Sequence, residues 1–136
     1  MEDYILSDMN RVVITGIGIY SSLGKNLEEV KDSLQNGKSG IVFDQERKDM
    51  GYRSALIGLV ETPDLKKELK RRARVGMPEQ AKYAYVSTEE ALKVAGLDKT
   101  YFEENEVGIL FGNDSCAGPT VESTDIVREK KDTTLV

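Results

Sequence analysis

Apolar and polar positions alternate in blocks along this chain, and the blocks change period. RVVITGIGIYSSLG (residues 11–24) opens on a β-branched run, followed by closely spaced glycines and small hydroxyl residues. Val12, Val13 and Ile14 predict a strand buried on both faces, because no polar position interrupts them. The period then becomes helical. Asn26-Leu27-Glu28-Glu29 has the form of a capping box, with Asn26 as N-cap and Glu29 reaching back. Leu27, Val30 and Leu34 share one helical face, and Gly37 is placed to end that helix in a left-handed cap. KSGI (residues 38–41) predicts a turn, and RSALIGLV (residues 53–60) a strand with an irregularity at Gly58.

The second half repeats the alternation. LKKELKRRAR (residues 65–74) is basic in six of its ten positions. Pro78 suits the first turn of a new helix. Ala81, Ala84, Tyr85, Thr88, Ala91, Leu92 and Ala95 fall on its inner face, and Gly96 closes it. That face is small, which permits close packing. Leu97-Asp98 begins a connection, residues 107–111 predict a second buried strand, and the segment after Pro119 is weakly helical. Strand, helix, strand, helices, strand is an α/β order. Residues 1–9 read as a leader or start-site extension, since Met9 is itself an alternative start, and residues 10–136 as one domain.

Composition narrows the chemistry. The chain of 136 residues has net charge −5, 39% hydrophobic and 32% charged residues. An acidic balance argues against general nucleic-acid binding. The opening residues lack the pattern of a signal peptide, and no run reaches the length of a membrane span. One cysteine excludes an intrachain disulfide and fits a reducing compartment, so cytoplasm is expected. No histidine is present. The commonest general base and the commonest metal ligand are therefore missing, and no metal site is expected.

Three motifs need weighing. TGIGIYSSLG resembles a dinucleotide turn, but the fingerprint needs glycine at position 21, where Ser21 stands. A Tyr-x-x-x-Lys pair fails as well, because Ser87 and Glu89 follow Tyr83 and Tyr85 at that spacing. A tight structural turn is the better reading. The basic run is either a solvated helix face or a docking patch for an acidic partner, where charge speeds encounter. Cys116 has Asp114 beside it to raise its pKa and no histidine to lower it, so it reads as a small residue lining a turn.

The order and spacing of these segments resemble the amino-terminal signature of the β-ketoacyl-acyl carrier protein synthases, elongating condensing enzymes of the thiolase superfamily. The family opens on VVITG-x-G, a small-residue turn, a helix and a G-x-SGI turn. Here those are residues 12–18, 21–24, 27–34 and 37–41. The likeness continues through RSALIGLV, the basic run, AGLD (residues 95–98) and VGILFGNDSCAG, covering nearly all of residues 10–136.

The resemblance implies a thiolase-like α/β fold, of which this is a partial amino-terminal lobe. It implies acyl transfer onto a cysteine, then decarboxylative condensation with malonyl-carrier protein in fatty-acid or polyketide synthesis, with no cofactor. The family's cysteine and two histidines lie past the end of this chain, so no catalytic residue is expected here and the chain alone is expected to be inactive. By position, the basic run matches the region that docks acyl carrier protein: Arg71 and Arg72 first, then Lys70 and Arg74. The family often has another cation where this chain has Val75. The GNDSCAG loop matches the loop beside the acyl pocket, with Ser115 as the gate and Cys116 adjacent. Asn113 and Asp114 stand where small residues are more usual. A homo-oligomer or heteromeric synthase assembly is expected, and a non-catalytic interaction module for carrier protein or a partner subunit is the alternative.

Overall fold

The computed structural model describes residues 11–114, 117–131 and 133. Along the chain come α1 (Leu27–Gln35), β1 (Ile41–Phe43), α2 (Gln45–Asp49), β2 (Leu56–Gly58), α3 (Arg71–Val75), α4 (Glu79–Ala95), α5 (Lys99–Glu104) and α6 (Ala117–Lys130). No helix among these residues is long and apolar enough to cross a membrane.

The helix ends follow the capping chemistry. Glu29 N–H donates to Asn26 Oδ1 at 2.9 Å, and the Glu29 carboxylate accepts from Asn26 Nδ2 at 2.9 Å and Lys25 N–H at 2.8 Å. The capping box thus forms, with its return bond one residue further out than the N-cap. At the other end Gly37 takes φ +60°. Lys38 N–H then donates to Ser33 O at 2.9 Å and Gly37 N–H to Leu34 O at 3.4 Å, which satisfies the last carbonyls of α1. Gly96, at φ +70°, ends α4 in the same way.

Two short helices have a signal that periodicity does not reveal. Asp44 Oδ1 accepts from Arg47 N–H at 3.2 Å to start α2, and Asp98 Oδ1 accepts from Thr100 and Tyr101 N–H to start α5. Each aspartate is an N-cap, and each helix is too short to show an apolar stripe. The strand expected over residues 53–60 contracts to β2, and Ile41, expected in a turn, instead begins β1. β1 and β2 pair antiparallel, with Ile41 opposite Gly58 and Phe43 opposite Leu56.

The chain is therefore mixed helix and strand, but the two buried strands that the apolar runs predict do not form. Residues 12–14 and 107–111 carry no ladder and lie open, with Val12 91% and Leu110 97% exposed. A strand buried on both faces needs neighbours on both edges and cover above and below. Among the described residues neither run has either. Leu34 is likewise exposed while Val30, on the same stripe, is buried. The buried apolar residues among those described are Val30, Ala55 and Leu65; Ser33 is buried too and donates to Leu23 O at 2.6 Å.

Helix α4 holds the amino-terminal half together. The glycines after the first apolar run do not serve a left-handed turn; they let the backbone lie against α4. A Cβ at Gly18 would fall 1.8 Å from Ser87 O, and one at Gly16 would fall 2.1 Å from Ala91 O. Both obstacles are helix backbone, which cannot rotate away. The tight turn itself comes later, where Ser21 and Gly24 exchange backbone hydrogen bonds at 2.9 and 3.2 Å. Glu90 then ties this segment down, accepting from Ile19 N–H at 2.9 Å and from Leu27 N–H at 2.7 Å.

A second set of bonds pins the chain after β2. Thr62 Oγ1 and Tyr83 OH donate to Glu79 Oε1 at 2.6 and 2.5 Å, and Tyr83 OH also lies 3.3 Å from Val60 O. Tyr20 stacks on Tyr83 at 5.8 Å and donates to Glu61 O at 3.0 Å. The donors from Thr62 and Tyr83 hold the Glu79 carboxyl below its ordinary range.

Replacing Gly18 with alanine should force the segment off α4. A loss of about 1–3 kcal/mol is expected for such overpacking. Urea denaturation reads it directly, and an unchanged midpoint would contradict the packing described.

Candidate functional site

The pinned strand exit delivers residues 63–65 to one side of α4, and the basic run follows. Leu65 is buried and anchors the segment. Leu69 N–H donates to Leu65 O at 2.9 Å, closing a turn that contains Lys66 and Lys67. Asp64 Oδ1 accepts from Lys66 N–H at 3.1 Å, and Lys66 Nζ lies 3.4 Å from the same carboxylate. Chiefly the Lys66 N–H bond, and then the Lys66 and Arg74 charges, keep the Asp64 carboxyl below its usual range.

Helix α3 begins after Lys70 without a side-chain cap. Arg74 Nε donates back to Leu69 O at 3.0 Å, which fixes its guanidinium against the preceding turn. Arg71, Arg74 and Val75 fall at i, i+3 and i+4, so they share a face. That face, the segment from Pro63 to Lys66, and Lys82 of α4 line an open cavity of about 340 Å³. Of the cations the sequence singles out, Arg71 and Arg74 line this cavity, while Arg72 and Lys70 do not. Lys66 and Lys82 line it too. Lys82 lies beyond the Gly76–Pro78 break, in a helix whose pattern reads as packing, so nothing in the run itself points to it.

A second cavity, about 520 Å³, runs between α4 and the chain after residue 107. Met77, Ala81, Ala84 and Tyr85 form one wall, and Ile109, Phe111 and Asn113 the other. The small side chains of α4 thus leave an apolar cleft where close packing is expected from the sequence. Ser115 and Cys116, the expected pocket gate, lie outside the described residues. The described chain reaches Asp114, and Asn113 lines one end of the cleft.

The comparisons with known proteins agree on one family. The model of the β-ketoacyl synthase N-terminal domain matches residues 9–134. The 3-oxoacyl-[acyl-carrier-protein] synthase 1 of Escherichia coli (strain K12) is 42% identical over 106 residues, which are 77% of this chain and 26% of that protein. Its counterpart in Buchnera aphidicola subsp. Acyrthosiphon pisum is 39% identical over 119 residues, 87% of this chain and 29% of that protein. The 3-oxoacyl-[acyl-carrier-protein] synthase 2 of Vibrio harveyi is more distant, at 28% over 103 residues. The chain spans less than a third of the length of these relatives.

The Asp64 carboxyl should titrate below an aspartate in an unstructured peptide. Carbon-detected NMR of its side-chain carboxyl gives the midpoint, and a value at or above the peptide's would contradict the contacts with Lys66 and Arg74.

Proposed function

Because the chain belongs to the β-ketoacyl synthase family, matching its amino-terminal domain, we propose that it is the amino-terminal part of a 3-oxoacyl-[acyl-carrier-protein] synthase that docks acyl carrier protein. The observation that carries this reading is the cavity lined by Lys66, Arg71, Arg74 and Lys82, in a chain whose net charge is −5. A concentrated patch of the sign opposite to the whole protein suits an acidic partner, because it steers encounter and fixes orientation.

The parent reaction is a decarboxylative condensation. An acyl group passes from the carrier thioester to an enzyme cysteine, and the carrier thiol leaves. Malonyl-carrier protein loses carbon dioxide, and its enolate carbon attacks the acyl-enzyme carbonyl. The C–C bond forms as the cysteine thiolate departs. Such a step needs a nucleophile and oxyanion donors. These 136 residues contain no histidine, and Cys116 is their one thiol. By the family resemblance, the condensing cysteine and its two histidines belong to other parts of the synthase.

What this chain contributes is binding. The cations of α3, α4 and the preceding turn receive the carrier protein. The apolar cleft beside residues 109–113 is the start of an acyl pocket, with Ser115 as its gate and Cys116 next to it. The open apolar runs at residues 12–14 and 107–111 would become strands of a thiolase-like sheet once the rest of a synthase, cytoplasmic and oligomeric, covers them. Exposed unpaired runs of this kind favour association.

Mixing the purified chain with acyl- and malonyl-carrier protein should give carrier binding but no 3-oxoacyl product. Mass spectrometry of the carrier-bound acyl groups detects the product. Product formation would contradict the division of labour, and absence of binding would contradict the docking assignment.

A further inference from the structure

The basic run and the basic cavity are not the same set of residues. Two cations at the centre of the run, Lys70 and Arg72, take no part in lining the cavity, and one that lies outside the run does. Lys82 arrives there because α3 stops at Gly76 and α4 starts after Pro78, which turns the first turns of α4 toward α3. The cavity then has a cation on each of three sides: Lys66 from the turn, Arg71 and Arg74 from α3, and Lys82 from α4.

These cations differ in how far they are already engaged. Arg74 donates to Leu69 O, and Lys66 pairs with Asp64. Among the described residues, the side chains of Arg71 and Lys82 make no ion pair, although the Lys82 charge reaches the Glu79 carboxylate one turn earlier. Asp64 is the one carboxylate in the lining, so the cavity keeps an excess of positive charge. Like charges converging on a concave wall repel one another and favour an incoming anion more than the same charges spread over a convex face.

We infer that Lys82 is a carrier-docking residue equal in weight to Arg71, and that docking is centred on the cavity between residues 63–66, α3 and α4 and not on the basic run as a whole. This inference rests on the docking reading above. It assigns the cavity to a carboxylate-bearing side chain of the acidic carrier surface, and leaves Arg72 and Lys70 to the surrounding field.

The test uses the whole chain with labelled Escherichia coli acyl carrier protein and reads fluorescence anisotropy at low salt. Lys82→Glu and Arg71→Glu should each weaken binding by about tenfold or more, whereas Arg72→Glu should cost about threefold or less, the difference between a contacting charge and a steering one. Lys82→Arg should retain binding, and Lys82→Gln, a neutral helix former, should weaken it without reversing charge. Thermal melting by circular dichroism confirms that each variant is folded, and the glutamine variant carries the test if the glutamate variant is not. Wild-type binding by Lys82→Glu beside a loss in Arg71→Glu would overturn the inference and leave the docking reading intact. Equal losses for Arg72→Glu and Lys82→Glu would also overturn it, because a diffuse field would then suffice. Wild-type binding by every variant would overturn the docking reading itself.

Discussion

A single carboxylate joins three parts of this chain. Glu90, half-buried on α4, receives Ile19 N–H on one oxygen and Leu27 N–H on the other. The first bond holds the glycine segment against α4, where Gly16 and Gly18 leave no room for a Cβ. The second places a negative charge at the first residue of α1, where the helix presents unpaired N–H groups and favours an anion. Charge-assisted bonds of this kind are stronger than neutral ones and set direction as well as distance. The glycine segment and the start of α1 take their position on α4 from this junction.

The same helix positions the site from its other end. Glu79, near the start of α4, collects donors from Thr62 and Tyr83, so the chain leaving β2 runs past the first turns of the helix. That placement brings residues 63–66 opposite Lys82. The two glutamates divide the work: Glu90 seats the segments that precede β1, and Glu79 seats the segment that carries the basic run. The basic cavity depends on this second anchor together with buried Leu65, which hold Lys66 and α3 against α4. The exposed pair between Lys25 and Glu61 adds little to this, because solvent screens it.

Sequence alone made both ends of α1 and the close of α4 readable, but not the short helices α2 and α5. Asn26, Glu29, Gly37 and Gly96 act through bonds to backbone a few residues away, so their effect does not depend on distant partners. The runs at residues 12–14 and 107–111 were readable as apolar but not as exposed, because a strand is completed by neighbours that the run does not contain. Gly16 and Gly18 were visible as special positions, yet their cause, the backbone of Ser87 and Ala91, lies some 70 residues away. The basic run was legible as a concentration of charge, but which of its members line the cavity was not. Choosing Arg71 and Arg74 over Arg72 needs the start of α3, and adding Lys82 needs the angle between two helices.

On the proposed reading, the surface built on α3 and the start of α4 receives a carrier protein. Chemical-shift mapping of the isotope-labelled chain against unlabelled acyl carrier protein tests it most directly. Shifts should concentrate at residues 64–66, 71–75 and 82 and fade as salt is raised, with the β1–α2–β2 hairpin unmoved. Shifts centred on residues 41–58, or a binding response that salt does not weaken, would contradict it.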